Sequence, residues 1–408
     1  MTSAHQRLGE RIEDFRGARG GRRTRPSRAP GSRAIVLTCS DYLAIAEHPA
    51  ITGAMIASLR AADGAAPMPG PCLPDDHPQI VLGAEFARHM QAGAGVLCPS
   101  GWAANTGLLQ VVAGPDVPVY LDVLAHMSLW EGARAAGAEI AYFRHNDLEH
   151  LRRRIEVGGS GVIVADAVYS TDGSVCPLAG LVELAEEHGC LLVVDESHTL
   201  GTHGDRGEGL VAALGLAGRV DFRTASLAKA LPGRAGLIAC DRPGFVDYFK
   251  HTAFPSVFST TLLPHDIAGL AAALGVVREE DWRRERLRTL TGRLRRGLAA
   301  LGYDLGEGDT QIIALCAESE ADAMLLRDAL AARDIFSAAL FPPATSLRRT
   351  LVRLSMHAGL SDDDVERILV ACRELRDQVE MPACPPARRE PSLATRARPE
   401  GRNAPGAG

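Results

Sequence analysis

The chain of 408 residues is 46% hydrophobic and 23% charged and carries a formal net charge of −6, a composition typical of an ordinary globular enzyme. No apolar run approaches the ~20 residues of a membrane-spanning helix, and no apolar segment follows the basic N-terminus, so we expect neither a membrane association nor a secretory signal. The nine cysteines contain no CxxC pair, which predicts small buried side chains in a reducing cytoplasm and no metal site.

Both ends of the chain are basic. Residues 1–33 hold nine arginines against three acids, and residues 381–408 hold five against two. Basic segments can indicate nucleic-acid contact, but these ends are rich in Pro, Gly and Ala and poor in the aromatic residues on which bases stack. We therefore expect a flexible basic N-terminal segment (1–33) with a short helix at Arg7–Phe15, a disordered tail (381–408), and no nucleic-acid partner.

Short apolar runs alternate with helical patterns through the first two thirds of the chain, where order is predicted to begin at Ile35–Leu37. Unbroken apolar runs suit strands that a parallel sheet buries on both faces, and the alternation with helices favours such a sheet. Helices are predicted at Ala50–Leu59 and at Leu181–His188, whereas Asp63–His77 is crowded with Pro and Gly and is expected to be irregular. The predicted strands are Val96–Cys98, Val119–Leu121, Gly161–Ala165, Cys190–Val194 and Val220–Ser226.

A turn after the strand Val96–Cys98 is a candidate anion site. It contains Ser100, Gly101 and Trp102, at which a helix begins, and the free backbone N–H groups of a helix start attract anions. Taken alone, the turn also fits an ordinary helix N-cap. His126, which follows the next strand, is equally well interpreted as a core histidine when it is considered without its neighbours.

The stretch around the strand Cys190–Val194 carries the chemistry. Asp195 lies at the carboxyl end of this strand, the edge at which open α/β sheets bind ligands, and His198 follows three residues later. Lys229 comes thirty-four positions after Asp195, beyond the strand Val220–Ser226. These residues alone also fit a chance surface lysine and an aspartate that caps a turn.

The use of lysine strengthens the case for Lys229. Of the 44 basic residues only Lys229 and Lys250 are lysines, so a cation in this chain is nearly always arginine. A guanidinium stays protonated and forms no imine, whereas a desolvated lysine amine loses its proton and condenses with an aldehyde. This indicates a Schiff base between Lys229 and pyridoxal phosphate (PLP), with Asp195 keeping the pyridine nitrogen protonated so that the ring acts as an electron sink.

The last third of the chain predicts a small α+β domain. Asp266 to about Leu301 is expected to be helical, with a leucine stripe at Leu287, Leu290, Leu294 and Leu298 that favours core packing. We place a large α/β domain at 34–265 and the smaller domain at 266–380. The further elements predicted in the smaller domain are the strands Gln311–Cys316, Ala338–Phe341 and Leu351–Ser355 and the helices Ala321–Arg333 and Asp362–Arg376.

Three motifs carry a resemblance to a known family. VVDESHTLGTHGDRGEG, TASLAKALPGRAG and FSTTLLPHDIAGL resemble segments of the α-oxoamine synthases, and their phrasing is most similar to the α-hydroxyketone quorum-sensing autoinducer synthases. The likeness runs from about Leu37 to about Arg376. It implies a fold-type I PLP-dependent transferase, similar to aspartate aminotransferase, with a mostly parallel central sheet, a smaller C-terminal α+β domain and a homodimer with shared active sites.

The resemblance also assigns roles to individual residues. Lys229, His198 and Asp195 are the catalytic residues, and Arg353 grips the substrate carboxylate. His126 stacks on the pyridine ring, Ser170 lies near the phenolic oxygen, and His198 bonds either that oxygen or the acyl carbonyl. The resemblance places the remaining cofactor contacts, including those to the phosphate of the same or the neighbouring subunit, at Ser100, Gly101, Trp102, Ser226, Ser259 and Thr260.

The resulting hypothesis is a PLP-dependent acyltransferase that condenses an amino acid with an acyl-CoA, loses CO2 and gives an α-aminoketone for a signal or secondary metabolite. The resemblance implies a medium-chain acyl-CoA and a donor such as aminobutyrate or S-adenosylmethionine. Two other classes stay open: a PLP-dependent aminotransferase or lyase, which shares Asp195 and Lys229, and a non-catalytic PLP-fold subunit. Relatives of the last kind lose the lysine that is present here as Lys229.

Overall fold

The structure is a computed structural model that describes residues 3–18, 29–61, 67–306, 308–342, 345 and 349–376. Residues 19–28 of the predicted flexible segment 1–33 and all of the predicted tail 381–408 lie outside the described residues. The described strands are β1 (Ile35–Val36), β2 (Ala94–Cys98), β3 (Val119–Leu121), β4 (Val162–Asp166), β5 (Leu191–Asp195), β6 (Phe222–Ala228), β7 (Pro232–Cys240), β8 (Ile312–Ala317), β9 (Ile335–Phe336), β10 (Ala338–Leu340) and β11 (Thr350–Ser355).

Helices cover both faces of the main sheet and the outer side of the C-terminal strands. A three-residue 3-10 turn at Gly70–Cys72 is the regular structure described within the Pro- and Gly-rich stretch. The helices are α1 (Ala4–Ala18), α2 (Pro49–Ala61), α3 (Pro78–His89), α4 (Gly101–Val112), α5 (Met127–Ala135), α6 (Leu148–Gly158), α7 (Leu178–His188), α8 (Leu210–Ala213), α9 (Phe245–Thr252), α10 (Phe254–Val257), α11 (Pro264–Glu279), α12 (Trp282–Ala300), α13 (Glu320–Ala332) and α14 (Asp362–Leu375).

The main sheet has six strands in the order β2-β7-β6-β5-β4-β3. The predicted parallel arrangement is confirmed for β3 to β6, while β7 runs against both of its neighbours. Alternate residues of the buried strands face opposite layers because side chains of a strand point to opposite faces. Val162, Val164 and Val193 share a core with α4 and α5, whereas Ile163 and Leu192 share one with α6 and α7.

A second sheet is formed by the C-terminal strands, in the antiparallel order β10-β11-β8. The leucine stripe at 287, 290, 294 and 298 is buried as predicted. The stretch from Asp266 to about Leu301 is helical as expected, but it forms two helices, α11 and α12, because the chain leaves the helical conformation at Glu280 (φ −106°, ψ 62°). The Glu280 carboxylate instead pairs with His48 and Arg283, which fixes the joint between α11 and α12.

The start of the ordered chain joins the C-terminal part of the fold. Ile35 and Val36 of β1 pair in parallel with Ile335 and Phe336 of β9. One hydrophobic core accordingly contains Ile35 and Leu37 together with residues of α11, α12 and β8. Within the described residues no helix combines the length and apolar character that crossing a membrane requires.

Candidate active site

The carboxylate of Asp195 is held at the end of β5 by two donors. Asn105 donates from Nδ2 to Oδ2 at 2.7 Å, and the backbone N–H of Ser197 donates to Oδ1 at 2.8 Å. All three residues are buried. These two donors fix the orientation of the carboxylate, and the free lone pairs of its oxygens remain available to a further donor.

Lys229 occupies the tight turn between β6 and β7, which pair as a hairpin through Ala228 and Pro232. Burial lowers the pKa of the Lys229 amine, the charge of Arg353 lowers it further, and the carboxylates of Asp195 and Asp166 oppose this shift. A lowered pKa raises the fraction of neutral, nucleophilic amine. Lys250, in contrast, lies on α9 and donates to the backbone carbonyl of Leu73.

The predicted anion turn begins α4 and leaves no room for larger side chains. Ser100 is the N-cap and accepts the N–H of Ala103 at 3.1 Å. A Cβ on Gly101 would lie 2.6 Å from the Cβ of Ser226, and a Cβ on Gly236 would lie 2.2 Å from the carbonyl oxygen of Ser100. The helix start therefore packs directly against β6 and β7, close to the carboxyl end of β6 after which Lys229 follows.

His126 is the N-cap of α5 and is joined to Asp195 through two side chains. Its Nδ1 lies 2.7 Å from Ser128 Oγ, and Asn105 Nδ2 donates to that oxygen at 2.8 Å. The edge of the Trp102 indole lies against the exposed His126 ring, with 6.1 Å between centroids. Loss of water around the ring lowers the pKa of His126, Lys229 adds to the effect, and Asp195 opposes it.

His198 is buried between the N-terminal and C-terminal parts of the chain. Its Nδ1 lies 2.7 Å from the hydroxyl of Tyr42, and Gln311 donates to its backbone oxygen at 2.8 Å. Burial, aided by Lys229 and Arg353, lowers the pKa of His198 well below its usual value, and burial raises the pKa of Tyr42 to about 12. Tyr42 therefore stays protonated and donates a hydrogen bond to Nδ1 of His198. The imidazole is then neutral and carries its own proton on Nε2.

Arg353 and Arg349 have different environments although they lie four residues apart. Arg349 forms a largely buried ion pair with Asp172 at 2.7 Å. Arg353, in β11, donates from Nη1 to the backbone oxygen of Ser170 at 2.8 Å, and its buried Nε has no hydrogen-bond partner among the described residues. Its charge lowers the pKa of Lys229, so the structure brings this guanidinium to the same site.

Ser259 and Thr260 follow α10 along the chain. Thr260 lines a small cavity of about 20 Å³ together with Cys98 and Pro99, and Ser259 is half-buried beside it. The backbone oxygen of Ser170 meets Arg353, while the contact predicted for the Ser170 hydroxyl stays a prediction. The roles of Ser226, Ser259 and Thr260 toward a cofactor likewise remain predictions.

Sequence reasoning assigned no role to several residues that the fold brings here. Asn105 contacts Asp195, which lies 90 positions later in the chain. Tyr42 contacts His198, which lies 156 positions later. Asp166 is the parallel-strand partner of Asp195 and accepts the backbone N–H of His126 at 3.1 Å. Burial and the charge of Asp195 raise the pKa of Asp166 well above its usual value. The available signal was a polar residue within an apolar pattern, as with Asn105 beside Ala104, Leu108 and Leu109.

The fold and this site together define a fold-type I PLP-dependent enzyme. Known proteins support that class. The family model described as aminotransferase class I and II matches residues 76–371. The chain is 41% identical over 352 residues to the CAI-1 autoinducer synthase of Vibrio campbellii, covering 86% of this chain and 89% of the relative. It is also 35% identical over 372 residues to an 8-amino-7-oxononanoate synthase of Anaeromyxobacter dehalogenans, covering 89% and 90%.

A solved structure of serine palmitoyltransferase from S. paucimobilis, with a bound adduct of PLP and myriocin, superposes with a TM-score of 0.82. It is 25% identical and the match covers 90% of this chain and 97% of that one. The chain therefore belongs to the aminotransferase class I and II family and, within it, to the PLP-dependent α-oxoamine synthases. The resemblance, the fold class and the cofactor expected from the sequence are confirmed.

The residues of the site fit PLP. The start of α4 offers backbone donors for a phosphate, and a side chain at position 101 would force this turn away from Ser226. The twice-bonded carboxylate of Asp195 is suited to a pyridinium N–H, and the half-buried amine of Lys229 to an aldehyde. Each of these groups lies at the end of β5 or β6 or at the start of α4.

Proposed function

We propose that this enzyme condenses an amino acid with a medium-chain acyl-CoA, with loss of CO2, to give an α-aminoketone that serves as a signal or a precursor of one. The condensation itself is that of its family. The observation that carries the assignment of residues is the convergence of Lys229, Asp195 and Arg353 on one site, which joins an amine, a pyridine partner and a carboxylate clamp. When bound, PLP supplies an electron sink for the negative charge that develops at the substrate Cα.

Lys229 and Asp195 divide the work at the cofactor. Lys229 would hold the cofactor through its amine and would remove the proton from the substrate Cα, a role that suits an amine whose pKa is lowered by burial. Asp195 would accept the pyridine N–H, and Asn105 and the Ser197 N–H fix the orientation of its carboxylate for that task. Lys250 is a poorer candidate for the task of Lys229, because its amine donates to the backbone carbonyl of Leu73.

Arg353 orients the amino-acid carboxylate. Its Nε and its second terminal nitrogen form the planar pair of donors that matches a carboxylate, while Nη1 is steadied by the Ser170 carbonyl. Arg349 is a poorer candidate because Asp172 already neutralises it. His198, with its proton on Nε2, donates to the cofactor's phenolic oxygen or to the acyl carbonyl, and Tyr42 holds it in that tautomer.

The phosphate is held by the N–H groups of Gly101 and Trp102 with Ser100, and Ser226 lies beneath them. We also propose a homodimer in which Ser259 and Thr260 reach the phosphate of the other active site. The adjoining surface supports this, since Phe254 and Phe258 are 59% and 79% exposed and form an edge-to-face pair next to Ser259. Exposed aromatic clusters of this kind mark protein contact surfaces.

The domain division at 265/266 and a cytoplasmic location are part of the same proposal. The first rests on the separate sheets on either side of α11, with β1 adding its backbone to the C-terminal part. The second rests on the buried free thiols of Cys98, Cys190 and Cys240, which suit a reducing compartment.

A screen of amino acids against acyl-CoAs of graded chain length tests the function. We expect CoA release, followed with a thiol reagent, only when both substrates are present, with aminobutyrate or S-adenosylmethionine among the active donors. Exchange of an amino group without CoA release would instead identify an aminotransferase. Absence of both reactions in protein that binds PLP would favour the non-catalytic subunit.

A further inference from the structure

Two buried side chains connect Asp195, the residue assigned to the pyridine nitrogen, with His126, the residue assigned to stack on the ring. The chain of hydrogen bonds runs from the Asp195 carboxylate to Asn105 Nδ2 (2.7 Å), from Nδ2 to Ser128 Oγ (2.8 Å), and from Oγ to His126 Nδ1 (2.7 Å). Asn105 is 2% exposed and Ser128 is 0% exposed. The members come from β5, α4 and α5, so three elements meet through this chain.

The direction of each hydrogen bond follows from the chemistry of the groups. The Asn105 amide must present its NH2 group to Asp195, because the reverse orientation would set Oδ1 against a carboxylate. One N–H of that group goes to Asp195 and the other goes to Ser128 Oγ. The Ser128 oxygen therefore accepts from Asn105, and its only proton is left for Nδ1 of His126.

A second donor reaches the same nitrogen of His126. The backbone N–H of Ser128 donates to Nδ1 at 3.3 Å as part of the N-cap of α5. A nitrogen that accepts from two donors carries no proton, so the proton of the neutral ring must be on Nε2. A protonated Nδ1 would face both donors and is disfavoured.

We propose that Asn105 and Ser128 are positioning residues that tie the Asp195 carboxylate to the His126 ring and fix that ring as the neutral Nε2–H tautomer. This rests on the proposed function in so far as Asp195 and His126 flank PLP. Its consequence is that the stacked imidazole places no positive charge against a ring whose nitrogen Asp195 keeps protonated. The side-chain amide of Asn105 thus donates both to Asp195 and to Ser128, the residue that contacts His126.

The tautomer can be read without cofactor or substrate. In 15N-labelled apo-protein, two-bond proton–nitrogen spectra of the histidine rings distinguish the two neutral tautomers, and loss of a signal in His126→Gln assigns the resonance. We expect the Nε2–H pattern for His126 in the unaltered protein. In Ser128→Ala the pattern should move toward a mixture of tautomers, whereas Thr291→Val, which removes a buried hydroxyl from α12, should leave it unchanged.

Measurements of kcat and KM test the role of Asn105. Asn105→Leu keeps the side-chain volume but removes both donors, so kcat should fall about tenfold, as expected for one lost hydrogen bond to a charged group, with the acyl-CoA KM unchanged. If Ser128→Ala does not fold, Ser128→Cys, with its weaker donor, gives the same spectroscopic reading.

Either of two results would overturn the inference: an Nδ1–H or cationic His126 at neutral pH, or an unchanged His126 pattern in the Ser128 variants. Absence of CoA release with every substrate pair would refute the proposed function but leave the spectra of the apo-protein as they are. The two failures are therefore distinguishable.

Discussion

Replacement of Arg353 by alanine separates substrate binding from cofactor chemistry. Arg353 is paired on both sides, with Ala338 of β10 and Ala314 of β8, so truncation of its side chain leaves the strand intact. Among the described residues, the side chain donates one hydrogen bond, to the backbone oxygen of Ser170. We expect the free energy of unfolding to fall by about 1.5–3 kcal/mol, the contribution of a hydrogen bond from a charged donor.

The effect on the substrate should be much larger. Two charge-assisted hydrogen bonds to a carboxylate contribute about 3–4 kcal/mol, which corresponds to ~10²–10³-fold in the amino-acid KM. The acyl-CoA KM and the absorbance band of bound PLP should be unchanged, because Arg353 contacts neither. Arg353→Lys should restore little, since an ammonium lacks the paired planar donors.

Steady-state kinetics with each substrate varied in turn, together with spectral titration by the amino acid, measure these effects. Arg349→Ala is the matched control. It breaks a buried ion pair with Asp172 and should destabilise the fold by about 3–5 kcal/mol with a smaller effect on the amino-acid KM. Normal amino-acid binding by Arg353→Ala, with the loss appearing in Arg349→Ala, would show that the clamp is Arg349 and that the assignment is wrong.

Three further variants test the rest of the site. Lys229→Ala should lose the borohydride-fixed cofactor adduct and nearly all turnover, and mass spectrometry that finds the adduct on Lys250 would refute the choice of lysine. Asp195→Asn should still bind PLP but lose on the order of 10²–10⁴ in kcat, so near-normal rates would contradict its role at the pyridine nitrogen. Tyr42→Phe removes a hydrogen bond that stabilises the neutral form of His198, so the pKa of His198 should rise. The acidic limb of the pH profile of kcat/KM should then move to higher pH. An unchanged profile in Tyr42→Phe would exclude that hydrogen bond.

Strands and helices with strong local patterns could be predicted from the sequence. Strands β4 and β5 were predicted from their apolar runs. Helix α7 was predicted together with its end at Gly189, which adopts a left-handed conformation with φ 63°. Strand β7 was missed because Gly233 and Gly236 interrupt its apolar pattern. Those glycines are required by the close approach of Leu270 and of the Ser100 backbone, which is a fact of the tertiary structure.

The site shows the same division between local and long-range information. Asp195 and Lys229 could be found because each follows a recognisable strand and because lysine is rare in this chain. Asn105, Ser128 and Tyr42 could not be given partners, because their contacts depend on how α4, α5 and the N-terminal segment pack around β5. Hydrogen bonds across such separations leave no periodic trace in a sequence.

The pairing of β1 with β9 has a consequence for synthesis of the chain. Ile35 leaves the ribosome about 300 residues before Ile335, a delay of about 15–60 s at 5–20 residues per second. During that time the backbone groups of β1 lack their native partner, and the hydroxyl of Tyr42 lacks its hydrogen-bond partner His198 until that residue has been synthesised. An unpaired strand edge invites association with other nascent chains, and a strand of only two residues keeps that exposed edge short. The enzyme can therefore become competent only after nearly the whole chain has emerged.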